Sequence, residues 1–240
     1  NLWRPCGERV LEGMPLLDAA LAALPSDVGA FRFVVTVDTG GTRDPYAVNA
    51  FAFAPADPLR RLFHVFCLEK QGLYAKLIAE LLVGPEAVQR VLDKVDVRPY
   101  GGIFGRVGWP DAIELDGDQA IIEELAQVYG ISCKKSDRRA DYKFGAIELV
   151  NGDLHAGRIL IIENTALHQQ LLGLQWKADE YGRLKEHPGQ PNHCTDCLIY
   201  SHRLVAVLYD SGVVSHEVRA QAAFVDPMGL GPGPSLDAQG

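Results

Sequence analysis

Three aspartates stand where a folded chain can bring carboxylates together: Asp38 in FRFVVTVDTGG, Asp116 in DAIELDGDQAIIEEL and Asp196 in PNHCTDCLIYSHR. The first two each close an apolar, β-branched run shortly before a glycine, and the third opens a stretch of helical period. Ligand sets made only of oxygen select hard divalent cations, Mg2+ or Mn2+. Two such ions about 3.5–4 Å apart activate a water and stabilise the leaving oxygen in an in-line displacement at phosphorus. That is the chemistry of a metal-dependent nuclease. Asp38, with Gly40 and Gly41 beyond it, suits a bridging role between both ions, because glycine lets backbone and phosphate approach closely. Asp116 and Asp196 would each complete the shell of one ion. Plain structural roles compete: a turn aspartate at Asp38 and a dipole-favoured first-turn aspartate at Asp196.

The second station is crowded, since Asp111, Glu114, Asp116 and Asp118 share one segment. Period-two alternation puts Glu114 and Asp116 on one strand face, while Asp118 could cap the next helix. Asp116 is preferred because the strand gives way there to Gly117; Asp118 is the reserve ligand. His193 lies three residues before Asp196, on the same helix face, and could hold a metal-bound water or a phosphate; a capping role is equally open to it. Lys134, Lys135, Arg138, Arg139 and Lys143 form a basic stretch running from a strand end into a helix. Lys177, Arg183 and Lys185 form a second one in the loop before His193. Either could contact phosphates, independently of sequence and sensitively to salt, or could be a solvated face. No aromatic residues interleave them as single-strand binding would require, so duplex is the expected substrate form.

The elements that must position these groups are legible from periodicity and punctuation. A helix is expected over 15–24, then strands over 31–37, 46–54 and 62–68 in an antiparallel meander. Helices are expected next at 73–83 and 86–94. Strand and helix then alternate: strand 112–116, helix 119–129, strand 131–135, helix 138–151, strand 158–162, helix 165–174, a polar hairpin or loop over 176–191, and a closing helix over 193–208. Three antiparallel strands and then βαβ-type units make an α/β fold with a mixed β-sheet flanked by helices. The expected organisation is a leading segment or linker (1–30), a catalytic domain (31–210) and a C-terminal extension (211–240) ending in a Pro- and Gly-rich, disordered tail.

Bulk properties bound the reading. At 240 residues and 48% hydrophobic content, the chain can bury a sizeable core. Five cysteines, an odd number with no disulfide-like spacing, point to a reducing compartment. No apolar run approaches the ~18 residues of a membrane span, and no signal-like leader opens the chain, so a cytosolic, non-membrane protein is expected. The chain begins at Asn1 and carries no G-x-x-x-x-G-K-[ST], which suggests a piece of something longer with no P-loop ATPase in it. A net charge of −8 argues against a basic nucleic-acid-coating protein. It leaves a nuclease open, because bound metal would neutralise part of it.

The order of elements, with carboxylates ending the first and fourth strands and on the closing helix, is ribonuclease-H-like. VVTVDTGGTRDPYAV, DGDQAIIEELAQVYGI, GAIELVNGDLHAGRILI and LLGLQW followed by GRLKEHPGQPNHCTDCLIYSHR together resemble the nuclease domain of the large terminase subunit of tailed bacteriophages, over residues 31–208. The H-x-x-D that opens the closing helix is the most specific part. The resemblance implies an endonuclease that cuts concatemeric double-stranded viral DNA during packaging in the host cytoplasm. It also implies partners: an ATPase domain absent from this chain, a small terminase subunit and a portal protein. Two other readings compete. Asp38-Thr39-Gly40-Gly41-Thr42 also looks like the first phosphate loop of actin-like sugar kinases, though Asp116-Gly117-Asp118 is a poor second loop. His193, Cys194 and Cys197, with His187 or His202, could hold zinc in a DNA-binding module, but a lone C-x-x-C is weak support.

Overall fold

Runs rich in β-branched and aromatic side chains, which favour the pleated backbone, form the strands that carry the molecule. These are β1 (Arg32–Asp38), β2 (Tyr46–Phe53) and β3 (Leu62–Lys70), paired as an antiparallel meander. The fourth strand, β4 (Ala112–Asp116), lies parallel to β1. Two short strands, β5 (Lys134–Lys135) and β6 (Ile159–Leu160), extend the edges in parallel to β4 and β3. The order β5-β4-β1-β2-β3-β6 is the mixed sheet expected from the sequence. The computed structural model describes residues 14–39, 44–92, 101–136, 140–174, 176–178, 184–186 and 190–210. The tail expected to be disordered and residues 1–13 of the leading segment lie outside them.

Alternation along the strands sorts side chains to two faces. Val35 and Val37 of β1, Val48 and Ala50 of β2, and Ile113 and Leu115 of β4 join one apolar core. That core is closed by helices α1 (Met14–Ala22), α2 (Ala75–Val83), α3 (Pro85–Leu92), α4 (Gly102–Val107) and α5 (Gln119–Tyr129). Nearly every residue of α2 is buried, as suits a helix covered on all sides. The opposite face is covered by α6 (Ala140–His155), α7 (Ala166–Gly173) and α8 (His193–Asp210). Val34, Phe51, Leu167, Cys197 and Leu198 pack there.

One short helix was not expected. Gly102 and Gly105 depress helix propensity in α4, yet Ile103 and Phe104 bury its face. Gly102 has φ +58°, and a Cβ there would lie 2.6–2.7 Å from backbone atoms of Gly84, Leu81 and Leu82. Close backbone approach, which only glycine allows, therefore docks α4 on the end of α2. The expected polar hairpin appears as a separate pair, β7 (Trp176–Ala178) and β8 (Leu184–Glu186). Among the described residues no helix is long and apolar enough to cross a membrane.

Strand β3 carries a bulge at its middle. Ala50 pairs with Phe66 but Phe51 pairs with His64, so Val65 is the extra residue. Before it, even-numbered Leu62 and His64 face α6–α8; after it, odd-numbered Cys67 and Glu69 do. One inserted residue reverses which face the rest of the strand presents.

Candidate active site

Strands β1 and β4 both end in aspartate, and the parallel register makes Asp38 and Asp116 direct neighbours. Both side chains point to the face that α8 covers, since they follow Val34 and Thr36 on β1 and Glu114 on β4 in alternation. The chain turns immediately beyond them. Thr39 donates to the Asp116 carbonyl from its backbone N–H (2.8 Å) and from Oγ1 (3.0 Å). Gly117 accepts that crossing: at φ +154° a Cβ there would sit 1.6 Å from Thr39 Oγ1.

Asp196 comes from the first turn of α8, which lies across the ends of both strands. Buried polar bonds seat that helix: Thr36 Oγ1 donates to the Cys197 carbonyl (3.0 Å) and lies 2.9 Å from Ser201 Oγ. Asp196, Tyr200 and Arg203 follow at i, i+4 and i+7, one stripe of the helix. Tyr200 Oη donates to Asp116 Oδ2 at 2.6 Å, and Arg203 pairs with the fully buried Glu114. Sequence reasoning missed Tyr200 and Arg203, although their spacing from Asp196 was a usable signal.

Asp38, Asp116 and Asp196 are only 5%, 4% and 9% exposed, so each carboxylate needs a partner. His193 Nδ1 lies 3.1 Å from Asp38 Oδ2. Lys143 Nζ reaches both oxygens of Asp196, at 2.7 and 3.0 Å, and the Asn192 side-chain amide donates to Asp196 Oδ2 at 3.4 Å. Hydrogen bonding to Asp38 raises the His193 pKa against an opposing burial effect, and the charges of Asp38, Glu69 and Asp44 add to the rise. Tyr200 reports the combined field. Burial first, then its bond to Asp116 and the charges of Asp196, Asp116 and Asp38, push its phenol well above the usual tyrosine range. On α8, Asp196 lies between His193, which meets Asp38, and Tyr200, which bonds Asp116, so the start of the helix brings the three acids to the same end of the sheet.

A fourth acid, Glu69 of β3, lies within the same field. Burial raises its pKa, a hydrogen bond from Gln170 opposes that, and the charges of His193 and Asp38 both act on it. Nothing in the local sequence marks Glu69, because the bulge at Val65 decides its face. Beside it a cavity of about 290 Å³ is lined by Gln169, Gln170, Gln190 and Pro191 among others.

The remaining sequence candidates fall in different places. Asp118 is the N-cap of α5, its side chain accepting from Ala120 N at 2.9 Å. Lys134 and Lys135 are exposed on edge strand β5, with Lys134 opposite Glu114 in register. Lys143, one of the candidate phosphate contacts, is engaged with Asp196. Arg138, Arg139 and Arg183 lie outside the described residues, and Lys177 and Lys185 sit on β7 and β8.

Among the described residues no three His, Cys, Asp or Glu side chains close on one point as a ready-made metal cage. The thiols of the C-x-x-C part company: Cys194 Sγ is 3.7 Å from Cys67 Sγ, while Cys197 Sγ faces the carbonyls of Thr36 and Ala47. His202 pairs with Asp153 at 2.7 Å. These contacts give the zinc reading no support; His187, like the glycines of the kinase-like loop, lies outside the described residues. The Asp38, Asp116 and Asp196 set does fit a hard cation in donor chemistry. It consists of carboxylate oxygens alone, buried together, with protein cations or hydroxyls bonded to each.

No protein-family model matches the chain, and no curated protein matches it. Solved structures do. The large-terminase nuclease domain of bacteriophage SPP1, with bound manganese, aligns at a TM-score of 0.50 and 14% identity, over 75% of this chain and 88% of that one. The large-terminase nuclease of thermophilic phage G20c aligns at 0.50 and 12% identity, over 72% and 82%. The large-terminase nuclease domain of Thermus phage P74-26 gives 0.50, 13%, 72% and 78%. The chain therefore shares the fold of these terminase nuclease domains.

Proposed function

We propose that this chain is a metal-dependent endonuclease that cuts double-stranded viral DNA during genome packaging. The observation that carries the proposal is that Asp38 and Asp116 end adjacent strands side by side beneath α8, whose His193 and Tyr200, on either side of Asp196, bond them. The shared fold supports the packaging context. The manganese bound to the SPP1 domain supports the metal dependence.

Asp38, Asp116 and Asp196 would hold Mg2+ or Mn2+. Two bound ions would supply Lewis acidity to activate water and to stabilise the departing oxygen. The chain's own residues prepare that site. Tyr200, kept protonated, ties one oxygen of Asp116 and so fixes the carboxylate's orientation. His193, inclined to its cationic form, holds Asp38 in place and offsets negative charge before any ion binds. Lys143 neutralises Asp196 in the same way. Lys143, held beside Asp196, would also be within reach of a phosphate bound at the site. Lys134 and Lys135 lie on the edge strand beside β4, where they would contact the flanking duplex backbone together with Arg138 and Arg139. Lys177, Arg183 and Lys185 would extend the contact. In the terminase setting the partners would be an ATPase domain, a small subunit and a portal protein, in the host cytoplasm.

The test is incubation of the purified chain with supercoiled plasmid in Mn2+, Mg2+ or EDTA. Nicking and linearisation with Mn2+, weaker with Mg2+ and absent with EDTA, are expected. An intact plasmid at high protein concentration overturns the proposal.

A further inference from the structure

The first backbone N–H groups of a helix have no acceptor within it, and those at the second and third positions are usually met by the N-cap side chain. In α8 these positions are Cys194 and Thr195. The side-chain nitrogen of the preceding residue, Asn192, donates to Asp196. Gln170 of α7 reaches both positions from the neighbouring helix. Its Oε1 accepts from Cys194 N at 2.9 Å, from Thr195 N at 3.3 Å and from Thr195 Oγ1 at 3.4 Å. Its Nε2 donates to Glu69 Oε1 at 2.6 Å. Only this orientation of the amide satisfies both sides, since the reverse would set NH2 against two donors and oxygen against a carboxylate. Gln170 is 5% exposed, and Glu69 faces it only because of the bulge at Val65.

We infer that Gln170 is a positioning residue for the catalytic centre. Acting from a neighbouring helix and anchored by Glu69, it fixes the first turn of α8 and so sets His193 and Asp196 relative to Asp38. The metal part of this inference rests on the function proposed above; the placement of the helix turn does not. Groups that orient ligands in this way typically change metal affinity 10–100-fold when removed.

The experiment compares the parent with Gln170→Met, with the reciprocal double substitution Gln170→Glu plus Glu69→Gln, and with Ile78→Ala. Met keeps shape without polar groups. The double substitution returns an acceptor to the helix start with a donor facing it. Ile78→Ala destabilises the opposite core without touching α8. Two quantities are read: amide hydrogen exchange at Cys194 and Thr195, and the Mn2+ dissociation constant by calorimetry. Gln170→Met should speed exchange at those two amides and weaken Mn2+ about tenfold. The double substitution should bring both back to within about threefold of the parent, and Ile78→Ala should lower the melting temperature and change neither. Unaltered exchange, or unaltered Mn2+ affinity beside altered exchange, overturns the inference. If Gln170→Met does not fold, the double substitution decides: failure to recover parent exchange and affinity overturns it. A parent that binds no Mn2+ defeats the metal-dependent function instead, while exchange at Cys194 and Thr195 still judges Gln170.

Discussion

The two faces of one sheet are made from the same strands and differ in kind. Toward α1–α5 the strands present Val35, Val37, Val48, Ala50, Ile113 and Leu115, hydrocarbon throughout. Toward α6–α8 they set Thr36, Asp38, Asn49, His64, Glu114 and Asp116, each bonded to a partner, among apolar Val34, Phe51 and Phe53. The energetics differ accordingly. Truncating a buried leucine costs about 2–5 kcal/mol, whereas a hydrogen bond contributes about 0.5–1.5 kcal/mol net. One face is apolar packing alone, and the other combines apolar packing with polar groups that hold charge in place.

The largest effect separates the faces by activity. Asp38→Asn, Asp116→Asn and Asp196→Asn should each lower plasmid cleavage about 10³-fold, roughly 4 kcal/mol in barrier. Thermal unfolding should hardly change for the first two, since an amide oxygen still accepts from His193 or Tyr200. Asp196→Asn should lose a little, because Lys143 forfeits its ion pair. Near-parent cleavage by Asp38→Asn or Asp196→Asn would erase the distinction between the faces.

On the apolar face the signs reverse. Leu81→Ala, at a fully buried position of α2, should cost about 2–5 kcal/mol in urea unfolding and leave cleavage per folded molecule at the parent rate. A fall in rate matching the fall in stability would show the faces to be coupled.

Asp118→Ala gives a smaller, diagnostic loss. Removing the α5 cap should cost about 0.5–2 kcal/mol, with cleavage unchanged. Inactivity of this variant alongside an active Asp116→Asn would move the second ligand by two residues.

The smallest effect lies at the rim of the polar face and depends on pH. Burial would raise the Asp153 pKa, but hydrogen bonds from His202 and Arg158, with their charges, outweigh it and lower it below 3.8. A depressed folded-state pKa contributes stability above the unfolded value, and that stability is lost as pH falls through the folded one. Asp153→Asn should therefore melt below the parent at neutral pH, with the gap closing in melting scans carried below about pH 4. A gap that widens in acid would contradict the assignment.

Much of the polar face could be read locally. Asp38 and Asp116 end β-branched runs, and residues 193–210 have helical period, so three acids on three elements were visible before any fold was known. The glycines of α4 hid a helix, because its stability comes from docking on α2 and not from propensity. Lys143 was visible as a base, yet its partner across the fold was not.

Local pattern determined which side chains share a face within one element, because strand and helix periods are properties of the backbone. It thereby fixed that Asp38 shares a face with Thr36, and Asp196 with Tyr200. Only the tertiary structure decided what lies opposite. Parallel register set Asp116 beside Asp38, a single bulged residue turned Glu69 toward α7, and Gln170 became the cap of a helix that begins over twenty residues later. Such choices depend on strand pairing and helix docking between distant segments, and no local period encodes them.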